Sequence, residues 1–254
     1  MRYTDLIFDL YGTLVDIHTE EDEKVWEKTA FYFGFYGAAY TGESLKEAFQ
    51  VELKKREAKA GQSYECFPDI PFEQVMAELF RAGGVTENAE NLGVNAAQLF
   101  RICSLDYVNL YPDVLEALAR LRQQGCRLWL LSNAQRVFTA YELRLLGLRD
   151  QLDGIYISSD YRCRKPDGRF FNALIEEQKL DREKCIMIGN DLHTDIGGAK
   201  AAGLATFYMH TALTPPDQRE ADPEKHPDAY DGPSWEFEGE DWAEISALLG
   251  KICG

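Results

Sequence analysis

The sequence predicts an α/β protein: a Rossmann-like, doubly wound parallel sheet with a wholly helical segment inserted near its start. Three observations predict it. From about Leu110 onward, short apolar runs that stop at polar residues alternate with stretches of helical spacing, as in a parallel sheet with helices on both faces. One further run, Leu6-Ile7-Phe8, stands alone at the beginning of the chain. Between Asp16 and about Asn109 the periodicity is helical and no strand is expected. A chain of 254 residues can hold a core and a smaller inserted unit. The division expected is a core of residues 1–16 and 109–254, with residues 17–108 as the helical insert.

In chain order, Leu6-Ile7-Phe8 reads as a buried strand that ends at Asp9 and turns at Gly12. It delivers a carboxylate to the carboxyl edge of the sheet, where open α/β sheets bind their ligands. Helices are expected over residues 21–36, 44–60, 72–81 and 95–105. Trp26, Phe31, Tyr32, Phe33, Phe35, Tyr36 and Tyr40 crowd the insert. Most should pack the insert's own core, with one or two facing the cleft. Val114, Leu115, Ala117, Leu118 and Leu121 share a helical face that ends at Gly125, before a strand over 127–131 that leads into Ser132 and Asn133. A helix over 136–146 closes at Gly147, a strand over 154–159 precedes Arg164-Lys165-Pro166, and a helix follows over 170–178. The strand over 185–188 runs into Gly189-Asn190-Asp191, a helix over 195–202 is closed by Gly203, and residues 204–208 form another strand. Residues 214–240, rich in Pro, Asp and Glu, read as a long surface excursion before a final helix over 240–249.

Charge and cysteine usage exclude several functions. With 27 basic against 43 acidic residues the net charge is −16, which disfavours nucleic acid and an anionic membrane surface. The simplest reading of that charge is solubility. A phosphorylated ligand still fits if a metal ion and a local lysine neutralise its pocket. The six cysteines are scattered, with no C-x-x-C pair and no Cys/His cluster for zinc. No targeting segment precedes the first strand and no run approaches a membrane span. A reducing cytoplasm is the expected location.

The chemistry lies at the ends of the strands. Asp9, Ser132, Lys165 and the loop of Asp191 and Asp195 supply a carboxylate, a hydroxyl, an ammonium and an acidic pair, in that order. Asp9 is a candidate nucleophile for a covalent mechanism, or a cap on a strand-to-turn junction. Ser132 and Lys165 can hold phosphoryl oxygens, or serve as a helix cap and a surface charge beside a turn proline. Asp191 and Asp195 are hard oxygen ligands of the kind that suits Mg²⁺, and Asp195 can also cap its helix. His18 and His193 flank these motifs; His193 reads as a loop histidine beside acidic neighbours, the alternative being a proton carrier.

Four motifs in this order, with the helix at Tyr111-Pro112-Asp113-Val114 between the first two, resemble the haloacid dehalogenase-like hydrolase superfamily, in its subgroup with a helical cap after the first motif. The resemblance implies a phosphatase that forms an aspartyl-phosphate on Asp9. Ser132, Asn133 and Lys165, with the backbone at Gly12 and Thr13, would bind the phosphoryl group of a small phosphorylated substrate. Mg²⁺ would be held by Asp9, the main-chain carbonyl of Tyr11 and Asp191, with Asp195 behind them. Asn190 stands where many relatives carry the first acid, so Asn190 and Asp191 both remain candidates, with Asp191 preferred. The cap would select the substrate.

Tyr11 is the departure. Family phosphatases carry an Asp there that protonates the leaving group, and a tyrosine of pKa near ~10 accepts a proton poorly at neutral pH. Slow turnover is therefore expected, since losing a positioned acid/base costs ~10²–10⁴-fold. The same Tyr-Gly-Thr pattern occurs in the L-2-haloacid dehalogenases, which makes carbon–halogen hydrolysis one alternative. Those enzymes resemble one another in lacking the acids of the fourth motif and in using an Arg soon after the first, whereas this chain keeps Asp191 and has no Arg between Asp9 and Lys55. A weakly catalytic protein that binds a phosphometabolite is the other alternative. Whether the chain is a monomer or a homodimer is not readable from the sequence.

Overall fold

A computed structural model describes residues 2–60, 67–215, 218 and 232–254. At its centre is β1 (Asp5–Phe8), every residue of which is buried. On one side β1 pairs in parallel with β4 (Arg127–Ser132), which pairs with β5 (Gly154–Ile157). On the other side it pairs with β6 (Cys185–Gly189), followed by β7 (Ala205–His210) and β8 (Trp235–Glu238), giving the order β5-β4-β1-β6-β7-β8. The chain thus winds outward from β1 in both directions. The crevice beyond the carboxyl ends of β1, β4 and β6 is the topological switch point, where such sheets bind ligands.

Alternation along the strands divides the core into two layers. Leu6 and Phe8 of β1, with Leu128, Leu130, Ile186 and Ile188, face α5 (Val114–Gln123) and α10 (Trp242–Cys253). Ile7, Trp129, Leu131 and Met187 face the other way, against Phe170, Phe171 and Leu174 of α8 (Gly168–Gln178). Both layers are closed to water, which is why the strands read as continuous apolar runs rather than as alternating ones.

The inserted segment builds a separate core from α1 (Glu23–Phe35), α2 (Gly42–Ala60), α3 (Phe72–Ala82) and α4 (Ala89–Ser104). Trp26, Phe33, Phe49, Val75, Phe80 and Phe100 meet there, and Phe33 stacks on Phe80 with ring centroids 3.8 Å apart. Tyr32 and Tyr40 pack at the margin of this core. Phe31 and Phe35, expected inside, are 75% and 86% exposed.

Three expectations are corrected. The insert is not wholly helical at its ends: β2 (Val15–Thr19) and β3 (Leu105–Leu110) pair antiparallel as a two-stranded ribbon through which the chain enters and leaves it. Only Val15 of β2 is fully buried, so the ribbon lacks the apolar signature of the core strands. A sixth strand of the main sheet, β8, lies beyond β7. The helix expected at 195–202 starts earlier, as a π-helical turn over Leu192–Gly197, followed by α9 (Gly198–Ala201). Most of the excursion expected over 214–240, and Cys66 with it, lies outside the described residues.

Two seams join insert and core. In the first, Arg164 N donates to Phe67 O at 2.9 Å and Asp69 N to Arg162 O at 3.2 Å. The buried Asp69 carboxylate accepts Ser158 Oγ at 2.5 Å and Gln135 Nε2 at 2.7 Å, while Gln135 Oε1 accepts the N–H of Phe72. In the second, Arg101 of α4 pairs with Glu142 of α6 (Arg136–Leu145) at 2.7 Å. Among the described residues no helix is long and apolar enough to cross a membrane.

Candidate active site

Asp9 is placed by a tightly tied turn. Its N–H donates to Ile188 O at 2.9 Å, continuing the pairing of β1 with β6 past the end of the strand. Val15 N donates to Leu10 O at 2.9 Å and Gly12 N to Val15 O at 2.7 Å, bonds that leave the carbonyl of Tyr11 outside the turn. Gly12 has φ of 84°, and a Cβ there would lie 2.4 Å from Asn190 Nδ2, so both conformation and space demand glycine. Thr211 Oγ1 donates to Gly12 O at 2.7 Å and the buried Trp242 Nε1 to Thr13 O at 3.2 Å. The backbone N–H groups of Gly12 and Thr13, expected to bind a phosphoryl group, are spent on Val15 O and Leu10 O. Thr13 is fully buried and its hydroxyl donates to Asn190 Oδ1 at 3.3 Å. These two residues build the turn and neither lines the cavity beside it.

Lys165 is the electrostatic centre. It is 1% exposed, and its Nζ lies 2.7 Å from Asp9 Oδ1 and 2.6 Å from Asp195 Oδ1. Burial works against its charge, but the carboxylates of Asp195 and Asp9 outweigh this and hold its pKa above that of an ordinary lysine. Asn133 fixes the backbone that carries it: Asn133 Oδ1 accepts Lys165 N at 2.8 Å and Asn133 Nδ2 donates to Lys165 O at 3.0 Å. The amide expected to touch the phosphoryl group is thereby occupied in placing Lys165. Ser132, at the end of β4, is the opposite case. Its hydroxyl oxygen is buried and has no hydrogen-bond partner, an arrangement that costs ~1–3 kcal/mol unless a ligand meets it.

The acidic loop follows β6. Gly189 is obligatory, because a Cβ there would lie 2.2 Å from Asp195 Oδ2. Asp195 is buried, accepts Asp191 N on Oδ2 at 3.1 Å and meets Lys165 through Oδ1. Burial drives its pKa up, to about 7, with Lys165 opposing the rise. Asp191 is half-buried; its Oδ1 accepts the N–H groups of His193 and Thr194 and so caps the π-helical turn. Asn190 instead packs its amide over Gly12 and Thr13. His193 turns its ring toward Phe67, 6.2 Å between centroids, and is not among the residues that line the cavity.

Tyr11 is tied to α6. Its hydroxyl donates to Glu142 Oε2 and lies 3.1 Å from Thr139 Oγ1, both on α6. Burial and the Glu142 carboxylate push its pKa far above the usual tyrosine value, so this hydroxyl neither gives up a proton readily nor accepts one.

The elements converge on a cavity of about 270 Å³ lined by Asp9, Tyr11, Ser132, Asn133, Lys165, Asn190, Asp191, Thr194, Asp195, Leu213 and Pro215. Three carboxylates face one ammonium there. Such a site repels a phosphate dianion until a divalent cation joins it. Sequence reasoning missed Gln218, whose Oε1 accepts Leu192 N at 2.7 Å and whose Nε2 approaches Asp191 Oδ2 at 3.5 Å. It also missed Glu142 and Arg101. Nothing local distinguishes these residues; only the fold brings them to the motifs.

Comparison with known proteins bears on this geometry. The family model for haloacid dehalogenase-like hydrolases matches residues 6–203. The ribulose-1,5-bisphosphate 5-phosphatase of Halopiger xanaduensis is 31% identical over 176 residues, covering 68% of this chain and 71% of that protein. The phosphoserine phosphatase of Thermus thermophilus is 32% identical over 160 residues, 62% of this chain and 60% of its own length. Among solved structures, a 2-haloacid dehalogenase from Pseudomonas syringae pv. Tomato DC3000 superposes with a TM-score of 0.68 at 19% identity, covering 98% of this chain and 99% of that one. At that identity the likeness concerns the fold alone.

Proposed function

The chain belongs to the haloacid dehalogenase-like hydrolase family, and from that premise we propose that it is a Mg²⁺-dependent phosphatase of small phosphorylated metabolites, working in the cytoplasm. The observation that carries this reading is the cavity itself: Asp9 at its floor, the buried ammonium of Lys165 against it and the unpartnered hydroxyl of Ser132 beside them. Named phosphatases among the sequence relatives support it. The donor set suits Mg²⁺, because Asp9, Asp191 and the Tyr11 carbonyl are hard oxygens and the surplus of negative charge needs a cation. When bound, Mg²⁺ would neutralise the phosphoryl group. The insert, residues 17–108, acts as the cap.

The residues then divide the work. Asp9 attacks phosphorus and the bond to the leaving oxygen breaks, so that an aspartyl-phosphate forms. Lys165 and Ser132 receive the charge on the phosphoryl oxygens. Asn133 and Asp195 hold Lys165 in place. Water then attacks phosphorus and Asp9 leaves as a carboxylate. With the Tyr11 hydroxyl bound to Glu142, residue 11 does not supply the usual acid, and turnover is slow on esters of poor leaving groups.

The test is hydrolysis of para-nitrophenyl phosphate, whose leaving group needs no acid, with Mg²⁺ and with excess EDTA. Turnover with Mg²⁺ that falls by ~10²-fold or more in EDTA is expected, because a metal supplies several kcal/mol of charge stabilisation. Equal rates in both would refute the metal-dependent reading, and chloride release from a 2-haloacid in EDTA would favour dehalogenation. The cavity argues against that alternative: Arg101, the arginine that the fold brings near Tyr11, pairs with Glu142 and does not line it.

A further inference from the structure

Tyr11 is held from two sides of the molecule. Glu142 of the core is 3% exposed, and its two oxygens are shared between Tyr11 Oη and Arg101 Nε. Arg101 belongs to α4 of the insert, and its guanidinium lies 5.8 Å from the Tyr11 ring centroid and 5.3 Å from that of Phe138. A carboxylate so buried keeps its charge only while a cation and a donor meet it. Tyr11 in turn follows Asp9 by two residues, within the turn whose other bonds bypass its carbonyl.

We propose that Arg101 and Glu142 are positioning residues: an insert-borne cation and a core carboxylate that clamp Tyr11, and through it the turn that carries Asp9. The seating of α4 on α6 and the geometry of the catalytic turn are then one linked arrangement. If α4 lifts, Glu142 loses the guanidinium that orients its carboxylate, and the bond from Tyr11 to Glu142 loses its support. The turn then relaxes, and with it the Tyr11 carbonyl that would help to hold the metal. This explains why a tyrosine occupies a position whose usual chemistry it does not perform. The activity arm of the test rests on the phosphatase reading; the metal-binding arm does not.

The experiment compares wild type with Arg101→Met, Arg101→Lys, Tyr11→Phe and the Arg101→Met/Tyr11→Phe double variant. Methionine keeps an unbranched apolar stem while removing the guanidinium, and Tyr11→Phe removes a single oxygen, so at least the latter should fold. Mg²⁺ affinity is read by isothermal titration of the protein with Mg²⁺ alone, and kcat and KM with para-nitrophenyl phosphate. Arg101→Met and Tyr11→Phe should each bind Mg²⁺ several-fold more weakly and lose ~10–10² in kcat, the effect of a small misplacement of a reacting group. KM should change little, and Arg101→Lys should regain part of the loss. The double variant should be no worse than the worse single one, because both break one unit. Unchanged Mg²⁺ affinity and kcat with a lowered Tm would reduce the bridge to a structural contact and overturn the proposal, as would additive losses. A wild type that binds Mg²⁺ but turns nothing over refutes the phosphatase reading, and the titration then decides alone. A wild type that binds no Mg²⁺ overturns both.

Discussion

Asp9→Asn should abolish hydrolysis of para-nitrophenyl phosphate while leaving the fold intact. Asn matches Asp in size and the turn is tied by backbone bonds and by Thr211 and Trp242, so the position of residue 9 survives the change. What is lost is the anionic nucleophile, and a neutral amide does not form the covalent intermediate. Removing the nucleophile of a covalent mechanism costs on the order of 10³–10⁶ in kcat. Lys165 keeps Asp195 as a partner at 2.6 Å, so melting should shift by no more than a few degrees. Initial rates and a melting curve on the same preparation check both halves. A variant with wild-type turnover would remove Asp9 from the mechanism; an inactive variant that is also unfolded would leave Lys165 and Ser132 to carry the question.

Lys165→Met should damage stability and activity together. Among the described residues the wild-type ammonium is the single cation that the cavity lining supplies against Asp9, Asp191 and Asp195. Removing one partner of a buried pair typically costs ~3–5 kcal/mol, because the remaining charge is left desolvated. For a chain of this size that lowers Tm by on the order of 10 °C. The sign of the pH dependence follows from Asp195. Burial already raises its pKa to about 7, and losing Lys165 raises it further. A folded state that holds a proton the unfolded chain releases gains stability as pH falls, so the deficit of the variant should be largest in the alkaline range and shrink as pH falls toward about 7, where Asp195 of the wild type also begins to take up its proton. Catalysis should fall by ~10²–10³, the loss of one preorganised group for transition-state charge. A variant as stable as wild type across this range would mean that Lys165 is not the counter-charge of Asp195.

The sequence made the central sheet legible because β1, β4 and β6 are buried on both faces and read as unbroken apolar runs ending in polar residues. Asp9, Ser132 and Asp191 were legible for the same reason, since each ends or follows such a run, whereas Lys165 stands beyond β5 and a short helix and was legible only through its place among the other motifs. The ribbon was not, since β2 is only five residues long, carries two apolar residues and buries Val15 alone fully. Nor was the state of Tyr11, which depends on Glu142, 131 positions away, and on Arg101, which the insert supplies. Asn133 shows a subtler gap. Residue type identified a polar group at a strand end, but only the fold shows that its amide is spent on the backbone of Lys165.

The ribbon of β2 and β3 also bears on how the chain finds its fold. Asp5 of β1 must pair with Arg127 of β4, which follows it by 122 residues. Thr19 and Leu105 are ladder partners, so an insert that folds early and zips its two ends together takes most of that distance out of the search. The effective loop shrinks to roughly 40 residues, and the entropy of closing it falls by about 1 kcal/mol. Seen this way, the insert shortens the path between the two strands it separates.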